Sequence, residues 1–288
     1  MSFTDRLQQR AAEVQNALDT ALANAVEMPL TDALRYAVTG GKGVRGFLVM
    51  EAAALFDVPP ERSVRAAAAI EAVHAYSLVH DDLPCMDDDD MRRGQPTVHI
   101  KWDEATAVLV GDALQSLAFE LVADPATHPE GEVRAVLTLT LAQAAAAMVV
   151  GQAQDIAAGA AGRPLTLDEI TALQANKTGA LIRWSAEAGA HLGRADPTPL
   201  RAYATALGLA FQIADDILDV EGDAEKAGKR LQKDSDAGKA TFVSHLGLDG
   251  AKTRARTLVA EAEAALAPFG SEAEHLREAA RFVISRDF

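Results

Sequence analysis

Two dense runs of aspartate interrupt sequence that is otherwise apolar and helical in pattern. The first is His80-Asp81-Asp82-Leu83-Pro84-Cys85-Met86-Asp87-Asp88-Asp89-Asp90, followed by Met91-Arg92-Arg93-Gly94. The second is Phe211-Gln212-Ile213-Ala214-Asp215-Asp216-Ile217-Leu218-Asp219. Carboxylates this close repel one another and resist burial, so they call for cations. The candidate ligands are all oxygen, with no Cys or His pair beside them, which selects a hard ion such as Mg²⁺ or Mn²⁺. Arg92 and Arg93 follow the first run directly. Acids next to a basic pair suit a ligand that is itself anionic and binds through metal, and a diphosphate has that character. Asp215 and Asp219 stand at i,i+4 and share one helix face, with Ile213, Ile217 and Leu218 packing behind them. A solvated acidic face fits those apolar neighbours badly, because two buried carboxylates cost several kcal/mol without compensation. A calcium loop of the EF-hand kind is also a poor match for the first run, since the glycine at position six and the glutamate at position twelve are missing.

Helices must position these residues. Leu7, Ala11, Val14, Leu18 and Leu22 form a stripe at helical spacing. Pro29 opens a second segment that runs to Gly40-Gly41, and a third covers 44–56 before Pro59-Pro60. A long helix from about residue 61 enters the first acidic run, where Pro84 should end or kink it. Its C-terminal end disfavours anions and would stabilise a bound cation. Asp103 starts a helix that reaches 123, and another spans 131–158. The capping signal Thr166-Leu167-Asp168-Glu169 opens a helix expected to run to 192. Pro197 and Pro199 separate it from the helix of the second acidic run. Residues 221–239 read as a charged loop, followed by helices near 249–267 and 271–285. No flexible linker divides the chain and no internal repeat appears beyond the two acidic runs. The expectation is one all-α domain over 1–288.

Composition sets outer limits. The net charge of −15 argues against nucleic acid and anionic membrane as partners. A single cysteine, Cys85, provides no intrachain disulfide framework and suits a reducing cytoplasm, and the N-terminal residues contain no apolar signal core. The stretch 135–150 comes nearest to a membrane span, but Thr138, Thr140 and Gln143 favour a buried core helix. We therefore expect a cytoplasmic protein with no membrane span.

With its two acidic motifs in this order and Arg-Arg after the first, the chain resembles the trans-prenyltransferases, or isoprenyl diphosphate synthases. It is most similar to the bacterial farnesyl diphosphate branch, from about residue 30 to the C-terminus. The resemblance implies a single-domain bundle of about ten or more helices around a central cavity, of the isoprenoid synthase type, and a homodimer. It implies substrates (isopentenyl, dimethylallyl and geranyl diphosphate) and three Mg²⁺ ions bound with the allylic diphosphate, Mn²⁺ being a possible replacement. Asp81, Asp87, Asp215 and Asp219 would hold metal. Asp82, also a candidate ligand, and Asp88 look like supporting groups, and Asp89 and Asp90 read equally well as loop charges. Gly41-Lys42-Gly43-Val44-Arg45 resembles the signature that binds isopentenyl diphosphate, with Lys42 and Arg45 retained. Gly43 and Gly46 replace the usual Arg and Pro, which suggests a looser helix start. His74 and Arg93 match further isopentenyl diphosphate contacts, and Arg92 an allylic one. Lys177, Thr178 and Gln212 match the allylic side, while Lys229 and Lys239 match lysines of the loop after the second motif. Gln152 and Asp155 match a motif of direct or supporting role.

The implied reaction is ionisation of the allylic diphosphate followed by 1′-4 attack of the isopentenyl double bond. The departing pyrophosphate takes the proton, so no Ser or Cys nucleophile is needed. Class I terpene cyclases usually carry one Asp-rich motif, and non-catalytic subunits of heteromeric synthases usually lose one; both motifs are present here. Chain length would be limited by a floor upstream of the first motif, at Tyr76 and Ser77. Tyr76, together with the inserted Pro84-Cys85, favours the C15 product over the C20 product of geranylgeranyl diphosphate synthases. Five residues turn a helix by about 500°, so Ser77 rather than Tyr76 should share the Asp81 face.

Overall fold

The computed structural model describes residues 2–23, 26–160, 163–221 and 241–285. Among the described residues it is all-α apart from one short hairpin. In chain order the helices are α1 (Phe3–Leu22), α2 (Pro29–Val38), α3 (Val44–Ala54), α4 (Pro60–Asp81), α5 (Val98–Lys101), α6 (Glu104–Ala123), α7 (Gly131–Ala160) and α8 (Leu167–Gln174). A π-helical turn, Ala175–Gly179, leads into α9 (Ala180–Leu192) and α10 (Thr198–Glu221). The helices α11 (Phe242–Ala265) and α12 (Glu274–Ser285) complete the order, joined by a 3₁₀ segment, Ala267–Ala273.

Local chemistry explains most boundaries. Asp103 caps α6 by accepting the Thr106 N–H at 2.7 Å, and Thr166 with Glu169 forms the expected capping box of α8. The long helix α4 stops at Asp81, before Pro84, as anticipated. The observed elements add detail to the expected ones in three places. The helix opened by Thr166 reaches Leu192 as expected, but one turn of it is π-helical. The helix expected near 249 begins just after Gly247, whose φ of 68° lies outside the helical region, and a short helical turn capped by Thr241 precedes it from Phe242. On α1 the buried face is Leu7, Arg10, Val14, Leu18 and Leu22, so Arg10 is buried whereas Ala11 is only half-buried. The charged stretch 221–239 lies almost wholly outside the described residues.

Small side chains let the helices close on one another. Alanines 66–69, 72 and 75 of α4 are buried against neighbouring helices. A side chain at Gly189 of α9 would overlap the backbone of Ala52 and Ala53 in α3. Dense packing of this kind lets a core hold its helices in fixed register. The helix α7, expected as a buried core helix, buries only one face, through Val133, Leu137, Leu141, Ala144 and Met148. By length and composition alone α6 and α7 could each cross a bilayer.

Arg10 is buried because α3 supplies its counter-ion. Glu51, 5% exposed, accepts from Arg10 Nε at 2.7 Å and from Arg6 Nε at 2.9 Å. Glu13 holds the other side of Arg10 at 2.8 Å. This network fastens α1 to the helix whose first turn carries Arg45. Replacing Glu51 with Ala should lower the unfolding free energy by about 3 kcal/mol, the low end for a broken buried pair, because Arg10 keeps Glu13. Chemical denaturation of wild type and Glu51→Ala measures it; a loss well under 1 kcal/mol would contradict the assigned weight of the pair.

Candidate active site

The first acidic motif folds back on the end of α4. Asp87 N–H donates to the Asp81 carbonyl at 2.8 Å, and Asp89 N–H to the Asp82 carbonyl at 3.2 Å. This wrap brings Asp87 near Asp81. Burial raises the Asp81 carboxyl to about 6; Lys177 and Arg92 oppose the rise, and Asp87 and Asp82 add to it. Asp82 is different. It is buried and accepts from Arg92, through Nε at 3.0 Å and through the second guanidinium nitrogen. Arg92 also approaches Asp89 at 3.5 Å. Asp82 therefore holds Arg92 in place.

Arg92 and Arg93 sit on a two-stranded hairpin that the sequence pattern did not show, β1 (Met91–Arg92) with β2 (Gln95–Pro96). Its turn takes positive φ at Arg93 (54°) and Gly94 (74°), the conformation that tight hairpins prefer. Tyr36 Oη donates to the Pro96 carbonyl at 2.7 Å, and Arg93 donates to the Gly40 carbonyl at 3.0 Å. The hairpin is thus tied to the turn before α3.

Arg45, Arg93 and Arg92 converge on His74. Burial first, and then these three cations, pushes the His74 imidazole well below its ordinary pKa, so it is neutral at pH 7. Burial also lowers Arg45; Glu71 and Asp215 oppose this, and Arg93 reinforces it. Arg45 Nε is buried without a hydrogen-bond partner. A concentration of cations around an unpartnered donor is a cradle for an anion. Lys42 lies on the exposed turn before α3.

The two departures at this turn now have physical reasons. Gly43 caps α3 with a φ of 62°, and a side chain there would press on Ala11 of α1 at 2.9 Å. Gly46 donates its N–H to Glu71 Oε1 at 2.8 Å, a bond that proline could not make. The expectation of a looser helix start fails, because that bond ties the first turn of α3 to α4. Glu71 was not singled out from sequence. Its one signal was its place three residues before His74 on the same helix face.

A second wall of the site is built on the π turn. Lys177 Nζ donates to Asp155 Oδ2 at 2.7 Å, and Asn176 to Gln154 at 3.2 Å, so α7 orients the turn. Thr178 Oγ1 lies 3.4 Å from both Gln174 and Gln212 side-chain oxygens. Both polar atoms of the Gln152 side chain are buried without partners. On α10, Asp215 and Asp219 are half-buried and Asp216 is 6% exposed. Asp216 accepts from Gln212 Nε2 at 3.1 Å and from Phe242 N–H at 2.7 Å, so it fixes the start of α11. Sequence reading missed this role, since Asp216 differs from Asp215 only by one step of helical rotation. Lys229 and Lys239 lie outside the described residues.

Upstream, Tyr76 is 6% exposed and packs toward α6, with its hydroxyl buried beside Gln115 but outside hydrogen-bond geometry. Ser77 donates its hydroxyl to the His74 carbonyl at 2.8 Å.

Gly151 of α7 touches the π turn so closely that a Cβ there would overlap the Lys177 backbone. Gly151→Ala should therefore displace Lys177 and reduce turnover by about 10²-fold, the penalty for a misplacement near 1 Å. Steady-state rates with circular dichroism would test this, and wild-type turnover would show that the contact does not set the Lys177 position.

Comparisons with known proteins identify the family. A family model described as polyprenyl synthetase matches residues 27–275. The farnesyl diphosphate synthase of Escherichia coli (strain K12) is 39% identical over 300 residues, covering 100% of each chain. The apo crystal structure of an FPP/GFPP synthase from Zymomonas mobilis superposes with a TM-score of 0.87 at 46% identity, covering 96% of this chain and 98% of that one. Geranylgeranyl pyrophosphate synthetase from Pyrococcus horikoshii Ot3 gives a TM-score of 0.90 at 30% identity, covering 99% and 98%. With a family model spanning most of its length and a full-length relative at this identity, the chain belongs to the polyprenyl synthetase family and is a prenyltransferase.

Proposed function

We propose that this prenyltransferase condenses isopentenyl diphosphate with dimethylallyl and then geranyl diphosphate to give farnesyl diphosphate. The observation that carries the two-diphosphate reading is the division of the site into two differently built walls. Arg45, Arg93 and neutral His74 form a cationic cradle at the start of α3 and the side of α4. Asp81, Asp87 and Lys177 form a mixed wall that Asp215 and Asp219 complete from α10. Tyr76, buried upstream of Asp81, favours a C15 limit.

Metal fits the second wall. Burial holds Asp81 near 6 with Asp87 beside it, a carboxylate pair that a cation would relieve. Among the described residues no three acidic, Cys or His side chains converge as a ready-made ligand set. Mg²⁺ accepts one or two carboxylates when substrate phosphates and water complete its shell. Asp81 and Asp87 would hold it from one side and Asp215 and Asp219 from the other, with three ions as the family resemblance implies. When bound, it neutralises charge that builds on the leaving diphosphate.

The protein's own groups do the rest. Lys177, oriented by Asp155, donates to the allylic diphosphate, and Arg92, held by Asp82, adds positive charge as the C1–O bond breaks. Thr178 places its hydroxyl oxygen toward the developing cation. Arg45, Arg93, Lys42 and His74 hold isopentenyl diphosphate so that its double bond attacks C1. The family resemblance assigns Lys229 and Lys239 to the allylic diphosphate as well, and Gln212 supports Thr178. Apolar side chains around the tail exclude water from the cation. Asp81→Ala or Asp215→Ala should lower turnover by at least about 10²-fold with the fold intact. The same assay, with geranyl and isopentenyl diphosphates and Mg²⁺, should give mainly C15 product. Near-wild-type rates in either variant would remove the metal assignment, and mainly C20 product would remove the farnesyl assignment.

We also propose that the protein works as a homodimer in the cytoplasm, without a membrane span. Its support is the outer face of α7, where Leu139 is 59% exposed with Val136 and Val150 on the same stripe; Val108 and Leu109 of α6 are exposed as well. Other faces of α7 are engaged in the bundle through Leu137, Leu141 and Met148, and Trp184 Nε1 donates to Thr140 Oγ1 at 3.0 Å. An apolar stripe on otherwise polar surface suits a second copy. Leu139→Glu should shift the mass found by light scattering from dimer toward monomer; a wild-type monomer would refute the assembly.

A further inference from the structure

Tyr76 is held by what packs against its ring. Its buried hydroxyl has only Gln115 beside it, outside hydrogen-bond geometry, so no strong polar contact fixes the ring. What it meets instead is His80, one turn further along α4, in an edge-to-face contact with ring centroids 5.7 Å apart and planes at 80°. His80 in turn is fixed twice by α6. Its Nε2 lies 3.0 Å from the Val108 carbonyl, and because a carbonyl can only accept, Nε2 is the protonated nitrogen. Its ring fills the space a side chain would take at Gly111, since a Cβ there would overlap Nε2, Cδ2 and Cε1. The position of Tyr76 is therefore passed to it from α6.

We infer that His80 and Gly111 are specificity-determining residues for product length: Gly111 provides a notch for the His80 ring, and His80 positions Tyr76 as the floor of the tail pocket. The inference rests on the reading of Tyr76 as that floor. It also resolves the angular difficulty of the helix. Tyr76 and His80 are i,i+4 and face α6 together, away from the Asp81 face that Ser77 shares. The floor lies beside the helix that carries the metal-binding carboxylates and is shared by two helices. His80 acts as a positioning residue, with no contact to the reacting atoms, although it immediately precedes Asp81. Rate alone is then an ambiguous readout, and product length is the informative one.

The experiment compares products of wild type, Tyr76→Ala, His80→Ala and His80→Phe at fixed ratios of geranyl to isopentenyl diphosphate, resolved by chromatography after dephosphorylation. His80→Ala removes the ring behind Tyr76 and should raise the share of products longer than C15 several-fold. His80→Phe keeps a ring in the notch and should return the distribution toward C15 even if turnover falls. If Tyr76→Ala lengthens the product while His80→Ala leaves it at the wild-type distribution, the positioning role is overturned and the Tyr76 floor stands. If neither lengthens it, the floor itself falls, and this inference with it. Gly111→Ala, checked for folding by circular dichroism, should also move the distribution. A folded Gly111→Ala enzyme with wild-type products overturns the role of the notch, and if that variant does not fold, the two His80 variants decide.

Discussion

Like charge held inside an apolar bundle is the constraint on which the rest of this structure depends. Burial resists ionisation of Asp81 at the end of α4, enough to hold it near 6, while Asp215, Asp216 and Asp219 crowd along α10. Arg45, Arg92 and Arg93 crowd around one imidazole at a short remove. Neither group could stay in place by itself, because each would repel its own members and lose hydration. They persist because many of these charges are fastened by an opposite charge or a backbone dipole from another element. Asp82 fastens Arg92 on the hairpin, Asp155 fastens Lys177 on the π turn, and Glu71 binds the first turn of α3. Asp216 fixes the start of α11. The result is a set of dipoles and charges whose orientation is settled before substrate arrives, the condition under which electrostatics contributes most to a transition state.

The same fastening explains why the functional groups lie on irregular pieces of backbone. The π turn offsets Lys177 and Thr178 from the rotation that an uninterrupted helix would impose, and such insertions are common at functional sites. It is tolerated because Gly151 of α7 lets the two backbones touch and Gly208 of α10 comes close from the other side, where a Cβ would lie 3.2 Å from the Gly179 Cα. The hairpin does for Arg92 and Arg93 what the π turn does for Lys177. It points two adjacent residues in different directions, one to Asp82 and the other to the Gly40 carbonyl.

In the proposed reaction, substrate selection and catalysis would draw on one helix from different faces. The Asp81 face of α4 would meet the diphosphate, while the Tyr76 and His80 face makes the contact with α6. A single helix packed with alanine would then couple the depth of the proposed tail pocket to the proposed metal end without a loop between them. Glu51 and its arginines serve a comparable purpose for α3, whose far end they anchor to α1.

The sequence by itself determined the all-α class, most helix boundaries and the residue types gathered at the candidate site. Those follow from short-range physics: proline and capping residues act on their own turn, and i,i+4 spacing decides what shares a face. Dense like charge in apolar surroundings, visible without coordinates, brought forward the two aspartate runs and the paired arginines, while Lys177 came only from the resemblance to the prenyltransferases. Only the tertiary structure decided that Asp82 clamps Arg92, that Asp216 starts α11, that Glu71 ties α4 to α3, and that Arg10 is buried against Glu51. Local pattern could not separate Asp216 from Asp215, or Arg10 from its solvent-facing neighbours, since each pair differs only in which distant element lies opposite. The π turn and the hairpin escaped for the same reason. Both are conformations that these residues adopt because α7, α10 and the turn before α3 supply contacts from far along the chain, and a reading confined to neighbouring residues does not contain them.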